Sequence, residues 1–195
     1  MSLTIPIHTL EAIATGAGLI NTYLAARANI WNWLFGMITV ILFAIIFLSA
    51  GLYAGMGIQI IFLMLQFYGL YHWRYGGKQQ ETLAITHASR QAWGIACLLF
   101  IASFASLIYL LQHHTNSTMV YMDALTSALS LVAQWMMSQK WIENWLLWVV
   151  MDVISIDMYI EKHLIMTAIL YFLLFVLSVK GYAIWKKHIT FHYDH

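Results

Sequence analysis

Long apolar runs separated by short polar segments dominate the chain. Each run is close to the roughly 20 residues that an α-helix needs to cross a bilayer, and in lipid the backbone must satisfy its own hydrogen bonds. The pattern therefore predicts an all-α polytopic membrane protein with seven transmembrane helices. The runs cover residues 8–26, 30–49, 52–73, 91–112, 119–138, 141–160 and 163–185.

The composition points the same way. Hydrophobic residues make up 62% of the 195 residues and charged residues 9%, against roughly 45–50% and 25% in soluble domains. The net charge is only +1 and no basic stripe lies outside the helix ends, so we expect membrane lipid around the protein and no nucleic-acid partner.

The basic residues fall on one side of the predicted membrane. That side holds the 1–2, 3–4 and 5–6 connections and the C-terminus, while the other side has only Lys162. Because positively charged loops stay in the cytoplasm, we expect the N-terminus outside and the C-terminus inside. The eight basic residues on the predicted cytoplasmic side are Arg27, Arg74, Lys78, Arg90, Lys140, Lys180, Lys186 and Lys187.

An internal repeat becomes visible when the chain is shifted along itself so that Trp33 falls on Trp145. The same displacement, called the repeat shift here, places Trp73 on Trp185 without a gap. Four crossings separate the copies, so they enter the membrane in the same direction. Parallel repeats of this kind are a transporter architecture, with the substrate held between the repeats. A duplication without a transport function is the alternative.

The repeat also predicts how the chain is organised. Residues 1–195 form a single transmembrane domain in a 3+1+3 arrangement. Repeat one covers about 8–73, a connector helix about 91–112, and repeat two about 119–185.

Polar residues recur on one helical face in three of the runs. They follow the spacing i, i+4, i+7 and i+11. Polar groups inside a membrane usually face a cavity or a partner, so these faces predict the lining of an internal path. Interhelical hydrogen bonding is the alternative, mainly for the Ser and Thr positions. The faces are Glu11, Thr15, Gly18 and Thr22; Asp123, Ser127, Ser130 and Gln134; and Trp148, Asp152, Ser155 and Tyr159.

Asp152 has the clearest functional signal. It lies in the middle of the sixth run, and no basic residue in any run is placed to pair with it. Trp148 precedes it by one turn and can stack on a flat cation, whose charge the carboxylate would balance. Gln59 and Gln66, seven residues apart in the third run, offer amides to hydroxyl or amide groups.

Tryptophans also gather near the ends of the runs. Trp is enriched where membrane meets water, so these residues predict an interfacial belt with no role in binding. They are Trp31, Trp33, Trp73, Trp141, Trp145 and Trp185.

The sequence offers little to support catalysis or a cofactor. No nucleophile motif, phosphate-binding glycine loop or paired-histidine helix motif is present. The C-terminal group of His188, His192, Asp194 and His195 has no visible supporting shell for a metal. We therefore expect no enzyme activity, no cofactor and no metal.

Three segments resemble the Pnu vitamin transporter family, and the resemblance covers nearly the whole chain in order. They are 32–36 (NWLFG), 66–73 (QFYGLYHW) and 143–155 (ENWLLWVVMDVIS). The resemblance implies facilitated diffusion of an unphosphorylated vitamin, with nicotinamide riboside first, and trapping of the imported vitamin by a cytoplasmic kinase. It also implies a homotrimer in the bacterial inner membrane with one substrate path per protomer.

Spacing and resemblance together predict a substrate site. Two positions depart from the family's pattern for nicotinamide riboside, which often has Asn at the places of Asp152 and Thr39. Thiamine, another cation, is therefore the second candidate, and a proton-coupled carrier that uses Asp152 is a further alternative. The predicted substrate-binding residues are Trp148, Asp152, Tyr159, Gln134, Gln66, Ser155, Asn144 and Gln59.

Overall fold

The computed structural model describes residues 6–77, 82–115 and 119–193. Lys78, Asp194 and His195, which entered the predictions above, lie outside these residues. Seven helices cover most of the described chain, and they confirm the prediction of an all-α protein. The helices are α1 (Ile7–Ala26), α2 (Asn32–Ser49), α3 (Tyr53–Tyr75), α4 (Arg90–His114), α5 (Val120–Ser138), α6 (Asn144–Glu161) and α7 (Ile165–Tyr193).

The predicted helix ends are close to the observed ones. All lie within three residues except the end of α7, which continues eight residues beyond the predicted end at residue 185. The last part of that helix is polar, with two lysines and two histidines. A search for apolar runs stops before such a segment, although nothing there breaks a helix.

Three helical segments are long and apolar enough to cross a membrane by length and composition alone. They are α2, α4 and Ile165–Ile189 of α7, with mean hydropathies of 2.2, 2.4 and 1.9. The other helices carry more polar side chains, which a membrane protein turns towards its interior. Large apolar side chains such as Leu98 and Met166 are exposed on the outside, as a lipid-facing surface requires.

The helices pack as two groups of three with α4 at the side. Helices α1, α2 and α3 contact one another in sequence, as do α5, α6 and α7. The two groups meet where α1 contacts α7 and where α3 contacts α5, while α4 packs mainly on α5. Residues that face each other across these two contacts can therefore enclose a space between the groups.

Four tryptophans form a core where the two groups meet. Trp33, Trp73, Trp145 and Trp185, together called the tryptophan core, are each at most 2% exposed. Their ring centroids lie 5.2 Å (Trp33–Trp73), 5.9 Å (Trp73–Trp185) and 5.5 Å (Trp145–Trp185) apart. The predicted interfacial belt is wrong for these four residues. Trp31, which is 61% exposed, does suit it.

Glycine explains why these rings are buried. Trp33 packs directly on the backbone of α3 at Gly69, and Trp145 packs on α7 at Gly181. A side chain at either glycine would occupy the space of the indole. A position near the end of a span therefore becomes an interior position because the facing helix has no Cβ there.

The other two indoles join the two groups of helices. Trp73 of α3 donates its Nε1–H to the carbonyl of Met137 in α5, at 3.0 Å. Trp185 of α7 donates to the carbonyl of Ala25 in α1, at 3.1 Å. Each carbonyl also accepts a backbone N–H from the turn that follows its helix, so the indole adds a second hydrogen bond to it. The repeat shift relates the two donors to each other and also the two acceptors, so these bonds are the same contact made twice.

The long connection between α3 and α4 lies against the tryptophan core. Its residues 82–88, called the strap here, run beside the α5–α6 turn and form one isolated β-bridge, between Thr86 and Trp141. Leu83 donates its N–H to the carbonyl of Trp73 at 3.1 Å, and Thr86 exchanges backbone hydrogen bonds with Lys140 and Ile142. Glu143 accepts from the backbone of Ala88 at 2.9 Å and contacts His87.

Lys140 holds the strap through its side chain. Its ammonium donates to the carbonyl of Leu83 at 2.7 Å and lies 4.5 Å from the ring centre of Trp73. The residue is 8% exposed. Burial lowers the pKa of this ammonium from 10.5 to about 8, because a buried charge loses its hydration.

Substituting the two core glycines should destabilise the protein. In Gly181→Ala the new Cβ would lie 2.7 Å from the Trp145 ring, and Gly69→Ala meets Trp33 still more closely. Overpacking of this kind costs about 1–3 kcal/mol, which should lower the unfolding temperature in detergent. Gly94→Ala is the matched control, because nothing lies within 4 Å of its Cβ. Equal effects at all three positions would contradict the packing described here.

Raising the pH should stabilise the folded protein through Lys140. Its ammonium loses the proton near pH 8 when folded and near 10.5 when unfolded. Between these values the unfolded chain binds more protons, so the free energy of unfolding rises with pH, by about 1 kcal/mol from pH 7 to 9. Thermal unfolding at both pH values should show a smaller rise in Lys140→Met. The exposed Lys180→Met is the control, and an unchanged rise in Lys140→Met would refute this role.

Candidate functional site

A small polar cavity lies between the two groups of helices, next to the tryptophan core. Its volume is about 90 Å³. Ala25, Met137 and Trp145 line it and also belong to the cluster around the core, so they form the floor of the cavity. The lining residues are Asn21, Thr22, Ala25, Asn32, Gln134, Met137, Trp145, Trp148, Met151, Asp152, Leu174 and Ser178.

Asp152 is the only charged residue in this lining. It is 1% exposed, and its Oδ2 accepts a hydrogen bond from the hydroxyl of Ser178 at 3.0 Å. No lysine, arginine or histidine lines the cavity. The carboxylate is therefore held by a neutral group, and no cation of the lining balances it.

The spacing of α6 brings three side chains to the cavity together. Trp145, Trp148 and Asp152 lie at i, i+3 and i+7, which places them on one helical face, and all three line the cavity. Gln134 approaches from α5 and Thr22 from α1. The predicted polar faces of α1, α5 and α6 thus meet at this point, each through the residues nearest the tryptophan core.

Ser178 was missed by the sequence analysis. A single serine in the long apolar run of α7 gives no signal by itself. The internal repeat does give a signal for this position. The repeat shift carries Gln66, which was predicted to bind substrate, onto Ser178. The first helices of the two groups show the same relation, since the shift carries Thr22 onto Gln134 and both line the cavity.

Five of the predicted site residues do not line the cavity. Asn144 donates its amide to the carbonyl of Trp141 at 2.5 Å, and Ser155 donates to the sulfur of Met151 at 3.3 Å. Gln66 is buried against Gly36, and Gln59 is half-buried on α3. Tyr159 is the fifth.

Tyr159 lies in the C-terminal half of α6, between the cavity and the α6–α7 turn. Its ring stacks on Tyr171 of α7 at a centroid distance of 5.2 Å. One turn further, Lys162 forms an ion pair with Asp123 of α5 at 3.1 Å. At this end of the bundle, α5, α6 and α7 are therefore joined by aromatic and ionic contacts.

A larger apolar groove of about 1190 Å³ lies between the α2–α3 turn and α4. Its lining includes Phe47, Ile58 and Leu107 and, among titratable side chains, only Tyr53 and His114. No carboxylate lines it. The small cavity with Asp152 is therefore the better candidate for binding a charged or hydroxylated molecule.

Apolar helices that enclose a polar cavity between two similar groups define a class of protein. This architecture is that of a multi-pass membrane transporter for a small molecule.

The chain belongs to the nicotinamide mononucleotide transporter family, whose sequence profile matches residues 8–187. The chain is 29% identical over 203 residues to the nicotinamide riboside transporter PnuC of Escherichia coli (strain K12), covering 90% of this chain and 84% of that protein. The nicotinamide riboside transporter PnuC of Neisseria mucosa is 25% identical over 198 residues, covering 96% and 75%. The resemblance noted in the sequence is confirmed.

The fold is also similar to a solved structure. The crystal structure of the vitamin B3 transporter PnuC superposes with a TM-score of 0.71 at 25% identity, covering 94% of this chain and 83% of that one. The chain is therefore a membrane transporter, as the sequence predicts.

Proposed function

We propose that this protein imports nicotinamide riboside, or a closely similar vitamin, by facilitated diffusion across a bacterial inner membrane. A cytoplasmic kinase would then trap the vitamin by phosphorylation. The observation that carries the proposal is the buried carboxylate of Asp152 beside the ring of Trp148, in a cavity whose lining has no cation. An aromatic cation supplies the missing charge and a ring to stack.

The same cavity favours the riboside over the mononucleotide. A phosphate adds a charge of about −1.5 to −2 at neutral pH. The lining offers it no lysine, arginine or histidine, and Asp152 would repel it. The vitamin named for the relatives, nicotinamide riboside, suits this electrostatic environment, whereas the phosphorylated compound in the family's name does not.

The substrate site is proposed to consist of the residues that line the cavity. Trp148 stacks on the ring, Asp152 balances its charge, Ser178 orients the carboxylate, and Gln134 donates hydrogen bonds. The cavity of about 90 Å³ is smaller than the roughly 300–1,000 Å³ of ligand pockets. Binding therefore requires the surrounding side chains or helices to move apart.

The other predicted site residues are assigned different parts in this proposal. Tyr159, stacked on Tyr171, lies on the outward path to the cavity. Asn144 and Ser155 hold the shape of α6 through their local hydrogen bonds, and Gln66 fills the space over Gly36. Gln59 belongs to the path at a distance from the cavity.

The remaining parts of the proposal rest on the sequence. The charge distribution favours an external N-terminus and a cytoplasmic C-terminus. The two parallel repeats enclose the path, and the family resemblance implies a homotrimer with one path per protomer. The protein would release its substrate chemically unchanged, so we propose no enzymatic activity.

Two alternative functions also fit the cavity. Thiamine is also an aromatic cation, so Trp148 and Asp152 suit it too. A proton-coupled carrier would use Asp152 to bind a proton in each cycle, since this carboxylate is buried and has only a neutral partner among the cavity residues. Uptake would then follow an imposed pH gradient and would be lost in Asp152→Asn.

Titration calorimetry on the purified protein tests the substrate directly. Nicotinamide riboside should bind, nicotinamide mononucleotide should bind much more weakly, and neutral riboflavin should not compete. Tight binding of thiamine alone would replace the proposed vitamin with the alternative one. Tight binding of the mononucleotide would contradict the electrostatic argument.

Substitutions in the cavity test the site. Trp148→Ala should weaken riboside binding about fivefold or more, as expected for a lost desolvated cation–π contact of at least about 1 kcal/mol. Asp152→Asn keeps the shape and removes the charge, so we expect a loss of about tenfold, equivalent to 1.4 kcal/mol. Trp93→Ala on α4, outside the cavity, is the matched control. Unchanged affinity in both cavity variants would place the site elsewhere.

A further inference from the structure

The apolar groove between the α2–α3 turn and α4 is a space that the helices around it leave open. Helix α3 hardly contacts α4, because α4 packs mainly on α5. The α3 wall of the groove contains Gly55 and Gly57, and a Cβ added at Gly57 would meet no described atom within 4 Å. The α4 wall contains the small side chains of Ser103 and Ser106. The two helices therefore face each other across a gap.

The back of the groove is a hydrocarbon surface. Its members come from three helices and belong to one apolar cluster, and they are Ile58 of α3, Leu107 of α4 and Leu131 of α5. The hydroxyl of Ser103 donates to the carbonyl of Leu99 in its own helix, at 2.7 Å. The walls therefore offer an occupant many dispersion contacts and few hydrogen bonds.

Titratable side chains mark one end of the groove. Tyr53 begins α3 and His114 ends α4, and both line the groove. Both are exposed, and tyrosine is enriched where the membrane meets water. This end of the groove therefore lies at the membrane surface, and the apolar part descends from it into the bilayer.

The groove is about as deep as one leaflet of a bilayer. From His114 to Ser103 it follows α4 for about 17 Å, at 1.5 Å per residue. From Tyr53 to Ile61 it follows α3 for about 12 Å. Half of the hydrocarbon core of a bilayer is about 15 Å, so the groove ends near the middle of the membrane. In the orientation proposed above, it opens in the outer leaflet.

These dimensions and this polarity require a hydrocarbon occupant. Water would find few polar partners along the walls, and an empty groove would forfeit dispersion contacts. The volume of about 1190 Å³ is several times the roughly 150 Å³ of an apolar cavity that binds benzene. A lipid chain has the matching length, and its polar end lies at the surface, as Tyr53 and His114 do.

We propose that the groove is a binding site for one phospholipid, with an acyl chain between α3 and α4 and the phosphate beside Tyr53 and His114. A phenol and an imidazole can both donate hydrogen bonds to phosphate oxygens. The chain takes the place of a direct α3–α4 contact and so joins repeat one to the connector helix. This site does not depend on which vitamin the protein carries.

Photolabelling in liposomes tests the site and its direction. Two phosphatidylethanolamine probes are used, one with a diazirine beside the ester of an acyl chain and one with a diazirine at the chain end. The first should label α4 near His114, and the second should label it near Ser103. Labelling of Met166, which is 82% exposed on α7, gives the level for bulk lipid. Mass spectrometry of the labelled peptides locates and counts the labels.

Filling the groove should remove the lipid. Gly57→Leu places a side chain in the open space, so labelling should fall about tenfold, as expected when roughly two methylene contacts are lost. Gly94→Leu on α4 is the matched control, because its Cβ also meets no described atom within 4 Å and Gly94 does not line the groove. Circular dichroism checks the helix content of both variants. Ser106→Leu, on the facing wall, repeats the test if Gly57→Leu does not fold.

Four outcomes would overturn the site. The first is labelling in the groove no stronger than at Met166, and the second is labelling at the same depth by both probes. The third is an equal loss in Gly57→Leu and Gly94→Leu. The fourth is an oligomer that Gly57→Leu separates in native mass spectrometry while the wild-type groove takes no label, which would make the groove an interface between copies of this chain.

Discussion

The close approach of two indoles to two glycines is the constraint on which the rest of the structure depends. Trp33 on Gly69 and Trp145 on Gly181 draw the helices of each group together. The remaining core indoles can then donate to backbone carbonyls near the ends of α1 and α5. This arrangement closes one end of the bundle and leaves the cavity directly beside it. Inside a bilayer the hydrophobic effect does not drive helices to associate with one another. Close packing of complementary surfaces therefore has to hold the two groups together.

Much of the fold follows from the sequence because the bilayer restricts the possibilities. Apolar runs of sufficient length must be helices, and so all seven were predicted, with ends close to those observed except at the C-terminal end of α7. The polar faces of α1, α5 and α6 also indicated a common interior, and Thr22, Gln134 and Asp152 do meet there. Periodicity determines which face of a helix is polar, and this information is local.

The features that could not be predicted depend on which residue of another helix a side chain meets. The core tryptophans look like belt residues because their burial is decided by glycines on other helices, far away in sequence. Tyr159 shares a helical face with Asp152, but its ring stacks on Tyr171 and does not line the cavity. Periodicity gives the direction of a side chain and not the depth at which a cavity ends. The strap is too short to show a clear period, and its backbone partners in the α5–α6 turn lie far away in sequence.

The strap also separates two turns that are otherwise alike. Ala28 and Lys140, which the repeat shift relates, both adopt positive φ, at 52° and 59°, and each follows the first helix of its group. Only the turn at Lys140 has the strap against it, and only there does the residue of positive φ carry a long cationic side chain. A duplicated backbone can thus keep its geometry while each copy acquires the side chain that its own surroundings require.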